Sequence, residues 1–101
     1  MLYALTVPGP IPDVEEVRVL EWHGQVGRAF EIGDLVVELE THKALVEVRA
    51  GQAGILRAIH CAEGDWQAVG RPLAVLSDGP DEALPSSPED LTALAVDFEV
   101  S

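Results

Sequence analysis

Lys43 is the only lysine in a chain of 101 residues; the remaining basic residues are arginines. It stands at the centre of Glu40-Thr41-His42-Lys43-Ala44, between two alternating apolar runs that read as the arms of a β-hairpin. A guanidinium stays charged and does not serve as an acylation nucleophile, so Lys43 is the one side chain here that can be turned into an amide. A unique amine at a hairpin tip suggests a covalent attachment point. The count alone is equally what an arginine-preferring genome would leave on a solvated turn.

The other groups with chemical potential are Cys61, His23, His42 and His60. One cysteine excludes an intramolecular disulfide, and the four residues do not fall at metal-ligand spacing, so no metal site is expected. Cys61 closes an expected strand and reads as a packed thiol rather than a nucleophile. A lone cysteine fits a reducing compartment, and residues 1–7 lack the basic and apolar regions of a leader. A soluble, cytoplasmic protein is expected.

The elements that position Lys43 must come from a single domain, because a chain of this length supports one core. At 48% hydrophobic residues it has enough apolar side chain to fold on its own. Eighteen acids against six bases give a formal charge of −12, which repels nucleic-acid backbones and anionic membrane surfaces. Protein partners with basic surfaces suit it better, with salt weakening the attraction.

Alternation and β-branched residues predict strands over Leu2–Val7, Val17–Trp22, Leu35–Leu39, Ala44–Val48, Ile55–Ile59 and Leu73–Leu76. In Val17–Trp22 the alternation groups Val17, Val19 and Glu21 on one face against Arg18, Leu20 and Trp22. Pro8-Gly9-Pro10 stops the first strand by removing ladder donors. Short strands at this spacing predict a sandwich or barrel. An internal repeat sharpens the expectation: Gly27, Gly33, Val36 and Leu39 fall on Gly64, Gly70, Leu73 and Leu76. Each copy has two glycines before an apolar strand, as tight turns needing positive φ require. Two such halves predict a pseudo-twofold with the Lys43 turn at one end.

The attachment domain is expected over residues 1–78. Residues 79–101 read as an acidic tail containing Pro and Ser. Within it, Ser87-Pro88-Glu89-Asp90 has the N-cap, N1 proline and acids of a helix start, predicting a short helix over 88–94. Residues 95–100 alternate again and predict a terminal strand able to pair with a sheet edge, in this chain or a neighbour.

Gly33-Asp34-Leu35-Val36-Val37-Glu38-Leu39-Glu40-Thr41-His42-Lys43-Ala44-Leu45-Val46-Glu47-Val48 resembles the G-D-x-L-x-E-I-E-T-D-K-A-x-V-E-V signature of the lipoyl/biotinyl attachment domain family, lipoyl branch. Glu63-Gly64-Asp65, Val69-Gly70 and Pro72-Leu73-Ala74-Val75-Leu76 continue the likeness downstream, and Val7-Pro8 and Glu21-Trp22 open it upstream. The sequence departs from the pattern at His42, where the family has Asp, at Ala50-Gly51, which replaces a proline-containing turn, and at Gln67, which replaces Val.

The resemblance implies an all-β fold: a flattened β-barrel, or barrel-sandwich hybrid, of two four-stranded antiparallel sheets with pseudo-twofold symmetry. It implies a non-catalytic carrier whose Lys43 is amidated by lipoic acid, with biotin as the alternative cofactor. Biotin carriers normally have A-M-K-M, whereas the neighbours here are His42 and Ala44. Recognition by the modifying enzyme is implied at Glu40, Thr41, His42 and Ala44 on the turn, and at Gly27 and Gly54. The implied partners are a lipoate ligase or lipoyl transferase, a thiamine-dependent 2-oxoacid dehydrogenase, an acyltransferase and a dihydrolipoyl dehydrogenase. The sequence has neither acyltransferase nor subunit-binding domain: if it is full length a stand-alone carrier is expected, and if it is a fragment the Pro- and Ser-containing tail is the start of an interdomain linker. A biotin carboxyl carrier of a biotin-dependent carboxylase and an unmodified interaction module are the competing functions.

Overall fold

The computed structural model describes residues 1–85, 88 and 90–101. Among the described residues, ten strands form two five-stranded sheets facing each other across one apolar core. In the first sheet the order is β3 (Ala29–Phe30), β6 (Gly54–Ile59), β8 (Pro72–Ser77), β1 (Leu2–Thr6) and β9 (Thr92–Ala93). In the second it is β10 (Val96–Val100), β5 (Leu45–Ala50), β4 (Leu35–Glu40), β2 (Glu16–Trp22) and β7 (Trp66–Ala68).

Period-2 sequence explains most of this. Val46, Val48 and Ala50 of β5 are buried while Leu45 and Arg49 are exposed, so the strand packs through one face. β8 is buried throughout, which its continuous apolar run requires. Leu5, Phe30, Leu39, Leu56, Leu73 and Leu76 fill the space between the sheets.

The repeat is visible in the backbone. Gly27, Gly33, Gly64 and Gly70 have φ of 103°, 94°, 93° and 87°, a region side chains rarely enter. Their partners repeat as well: Gly27 N donates to Leu56 O and Gly64 N to Val19 O, while Gly33 N donates to Ala50 O and Gly70 N to Val7 O. A shift of 37 residues carries β2, β3 and β4 onto β6, β7 and β8. The pseudo-twofold therefore relates β7-β2-β4-β5 to β3-β6-β8-β1, with β5 matching β1.

The register also shifts at equivalent places, between Val19 and Glu21 and between Leu56 and Ala58. These irregularities correct the facing expected for β2. Glu21 pairs with Glu38 outside the barrel, and Trp22 turns inward to pack on the core, because the extra residue at Leu20 changes the phase.

The C-terminal segment corrects two further expectations. Thr92–Ala93 is a strand parallel to β1 rather than part of a helix over 88–94. The proposed cap Ser87 and the acid Glu89 lie outside the described residues. Pairing with β1 and burial of Leu94, 4% exposed, outweigh the local helix-start chemistry. The sheets accordingly hold five strands each, not four, and β9 breaks the antiparallel pattern. β9 edges one sheet and β10 the other, so this segment straps the two together.

Gly51 makes the strap's passage possible. A Cβ there would lie 2.9 Å from the carbonyl carbon and oxygen of Ala95, whose oxygen accepts from Gly51 N at 2.8 Å. The departure from the proline-containing turn of the resemblance thus coincides with the point where the C-terminal segment crosses. The stretch before it is tied down by Arg57, which donates to the carbonyls of Gly79 at 3.3 Å and Glu82 at 2.7 Å.

Candidate functional site

The β4–β5 hairpin presents Lys43 at one end of the barrel. Thr41 builds the turn: its hydroxyl oxygen accepts from Lys43 N at 3.0 Å and Ala44 N at 2.8 Å, and its own N–H donates to Ala44 O at 2.9 Å. A threonine in this place closes the turn on itself, as Ser and Thr do when their hydroxyls replace backbone partners. Thr41 is buried although polar, while His42 and Lys43 on either side of the apex face solvent. Thr41→Val keeps the shape and removes the acceptor, leaving two amides without their partner. We expect a loss of about 1–2 kcal/mol in denaturant unfolding and faster hydrogen exchange at Lys43 and Ala44, with Thr41→Ser near wild type.

The amine is accessible and lightly held. Lys43 Nζ donates to Asp13 Oδ2 at 3.2 Å, with both side chains more than half exposed. Asp13 occupies the left-handed region at φ 62°, in the loop that joins β1 to β2. Such an exposed pair contributes little stability, so it orients the lysine without restraining it.

Below the apex, Arg18 donates to Glu40 at 2.7 Å across the β2–β4 pair. Glu40 is thereby fixed in position three residues before the lysine. On the opposite arm, Leu45 exchanges two backbone hydrogen bonds with Ser101, at 3.0 and 2.9 Å. The tip is consequently three strands wide on that side, because β10 covers the edge of β5.

The structure brings Glu40, Thr41, His42, Lys43 and Ala44 together at one tip and places Gly27 and Gly54 elsewhere. Those two glycines belong to the β3–β6 part of the other sheet, where Gly54 pairs with Phe30. At Gly27 a Cβ would meet nothing within 4 Å, so the requirement there is conformational. At Gly54 a Cβ would sit 3.4 Å from Leu76 Cβ.

Asp13, Arg18 and Ser101 contribute to the tip but carry no local sequence signal, since each meets it through tertiary pairing. A mixed cluster likewise escapes Cys and His spacing: Glu21, His23 and Glu38 bring ligand atoms within 4.8 Å of one another on the outer face. Its internal contact is His23 Nε2 to Glu38 Oε1 at 2.7 Å, which tempers the repulsion of the directly opposed Glu21 and Glu38.

Cys61 is buried, and desolvation pushes its thiol pKa up; Asp65 adds to the rise and the Gln67 hydrogen bond opposes it. Gln67, the departure from the family's Val, also donates to Pro72 O at 3.0 Å, so its amide is accommodated.

Comparison with known proteins bears on this geometry. A sequence model of the biotin/lipoyl family, described as "Biotin-requiring enzyme", matches residues 4–76. The chain is 35% identical over 95 residues to the dihydrolipoyllysine-residue succinyltransferase component of the 2-oxoglutarate dehydrogenase complex of Staphylococcus saprophyticus, covering 94% of this chain and 22% of that protein. It is 33% identical over 78 residues to the mitochondrial pyruvate dehydrogenase complex protein X component of Saccharomyces cerevisiae, covering 76% of this chain and 19% of the relative. The solution structure of the lipoyl domain of the 2-oxoglutarate dehydrogenase complex from Azotobacter vinelandii matches with a TM-score of 0.64 and 29% identity, over 77% of this chain and 99% of that one. This chain therefore spans about a fifth of the length of these curated relatives. β9 and β10 lie beyond the residues that the family's sequence model matches.

Proposed function

The chain belongs to the biotin/lipoyl attachment family as a lipoyl carrier domain, and we propose that Lys43 is the residue amidated by lipoic acid. The observation that carries this assignment is the sole lysine, standing exposed at the apex of a turn that Thr41 holds rigid. Amide formation joins Nζ to the acyl carbon, releases the ammonium's protons and expels the leaving group of the activated acid. A lipoate ligase or lipoyl transferase supplies that activated acid and the base. Glu40, His42 and Ala44 form the surface it meets, and the buried Thr41 acts through the shape of the turn. Gly27 and Gly54 act at a distance, through the shape of the barrel.

When attached, the lipoyl group supplies reductive acylation and acyl transfer. The chain's own contribution is to hold the attachment point on a stiff hairpin and to present it to partners. Thiamine-dependent dehydrogenase, acyltransferase and dihydrolipoyl dehydrogenase subunits of a 2-oxoacid dehydrogenase complex are the proposed partners, and the chain is proposed to be a carrier rather than a catalyst. The single, buried Cys61 supports a reducing compartment, and we place the protein in the cytoplasm. Biotin is the second cofactor considered; His42 and Ala44 in place of methionines beside Lys43 favour lipoic acid.

The experiment offers lipoylated chain to pyruvate and 2-oxoglutarate dehydrogenases with their substrates and follows the mass of the Lys43 peptide. An acyl-sized gain from one of them is expected. A lipoylated chain acylated by neither contradicts the assignment to these complexes.

A further inference from the structure

Beside the lysine tip lies an open cleft of about 730 Å³ lined by Asp13, Val14, Glu15, Glu16, His42 and Trp66. We propose that this cleft is a docking site for the acylated Lys43 arm itself, with the dithiolane resting on Trp66 and Val14. The proposal rests on the assignment of Lys43 as the lipoyl attachment point.

The tether begins at the cleft, since Lys43 Nζ contacts Asp13, which forms part of its wall. Trp66 is 55% exposed, a large apolar surface left open to water on the short strand β7. Val14 is half-buried and packs against the core, so it offers a fixed apolar wall. Trp66 pairs with Arg18, and Arg18 with Glu40. Two strand spacings therefore separate the indole from the base of the tip, about 10 Å on the same face. An extended octanoyl-length chain covers that span.

The chemistry is complementary. An alkyl chain ending in a disulfide ring is apolar and polarisable, and sulfur packs favourably against aromatic rings. Amidation removes the lysine's charge and with it the attraction to Asp13, freeing the arm to move across the cleft. Because the arm is tethered, its effective concentration is high and weak contacts suffice to populate the docked state. Asp13, Glu15 and Glu16 place negative charge around the cleft, which disfavours a thiolate, so the apolar contact is made by Trp66 and Val14.

The test uses the full chain treated with an active ester of lipoic acid and purified to the species modified at Lys43 and not at the exposed Met1 amine, compared with the chain acetylated and purified in the same way. Acetylation removes the lysine charge without adding an arm, so differences between the two report the arm. We expect nuclear Overhauser contacts between arm protons and the Trp66 indole, and shifts at the Val14 methyls that exceed those at remote, exposed Ile32. In Trp66→Ala the Val14 shifts should collapse, and the reduced arm should react with a thiol reagent about threefold faster. Identical Trp66 and Val14 signals in the lipoyl and acetyl forms would overturn the proposal. Chemical acylation separates this outcome from the carrier assignment, which is judged independently by whether a lipoate ligase modifies the chain.

Discussion

Lys43→Arg is expected to take up no lipoyl group from a lipoate ligase, while wild type is modified. The variant keeps a positive charge within reach of Asp13, and its guanidinium cannot form the amide. Because no other lysine exists in the chain, no second side chain can substitute for it. Stability should stay within about 0.5 kcal/mol of wild type, since the side chain is exposed and its ion pair lies on the surface. Intact mass and a denaturant curve, measured together, separate loss of the nucleophile from loss of the fold. A lipoyl adduct surviving on Lys43→Arg would show that the attachment chemistry lies elsewhere.

Leu94→Ala carries the largest expected effect on stability. Leu94 is buried in the core cluster between β9 and β10, and its N–H donates to Ala4 O at 2.8 Å. Truncation removes core contacts and leaves a cavity at the point where the strap joins both sheets. We expect a loss of about 2–4 kcal/mol by denaturant unfolding. Hydrogen exchange should quicken across Val96–Val100 and also at Leu45, whose N–H donates to Ser101 O. An effect below about 0.5 kcal/mol would mean that the strap is a loosely attached appendage.

These two positions mark what could and could not be read along the chain. The lysine hairpin was legible because β4 and β5 alternate cleanly and glycines flank them at spacings repeated in the second half. The four repeat glycines all adopt positive φ, and their hydrogen bonds follow the same pseudo-symmetry. β3 and β7, at two and three residues, are too short to display a period, so they escape a search for alternation. Arg57 and Leu20 sit at register shifts, where one extra residue reverses the phase that a simple alternation assumes.

The terminal strand expected over 95–100 is β10 on the edge of β5, whereas the helix expected over 88–94 gives way to β9 for a different reason. Pro88 and Asp90 are good residues for a helix start, and nothing local reports that β1 offers an open edge. Thr92 and Ala93 pair with Tyr3 and Ala4, close to ninety residues earlier in the chain. Strand pairing over such distances overrides propensity without leaving a mark on composition. Ala50-Gly51 did carry a signal: a glycine where the family has a proline-containing turn marks the place where Ala95 approaches. In the site, Thr41 and Glu40 could be named from the motif, whereas Asp13 and Trp66 reach the tip only through the loop and strand that tertiary pairing brings beside it.

Lipoyl attachment at Lys43 is tested most directly by the mass of the peptide containing Lys43 after incubation with ATP, a lipoate ligase and lipoic acid, with a parallel incubation using biotin and a biotin ligase. A lipoyl-sized gain confined to Lys43 is expected in the first and no gain in the second. A biotinyl gain on Lys43, or an unmodified peptide with both ligases active on their own carriers, would contradict it.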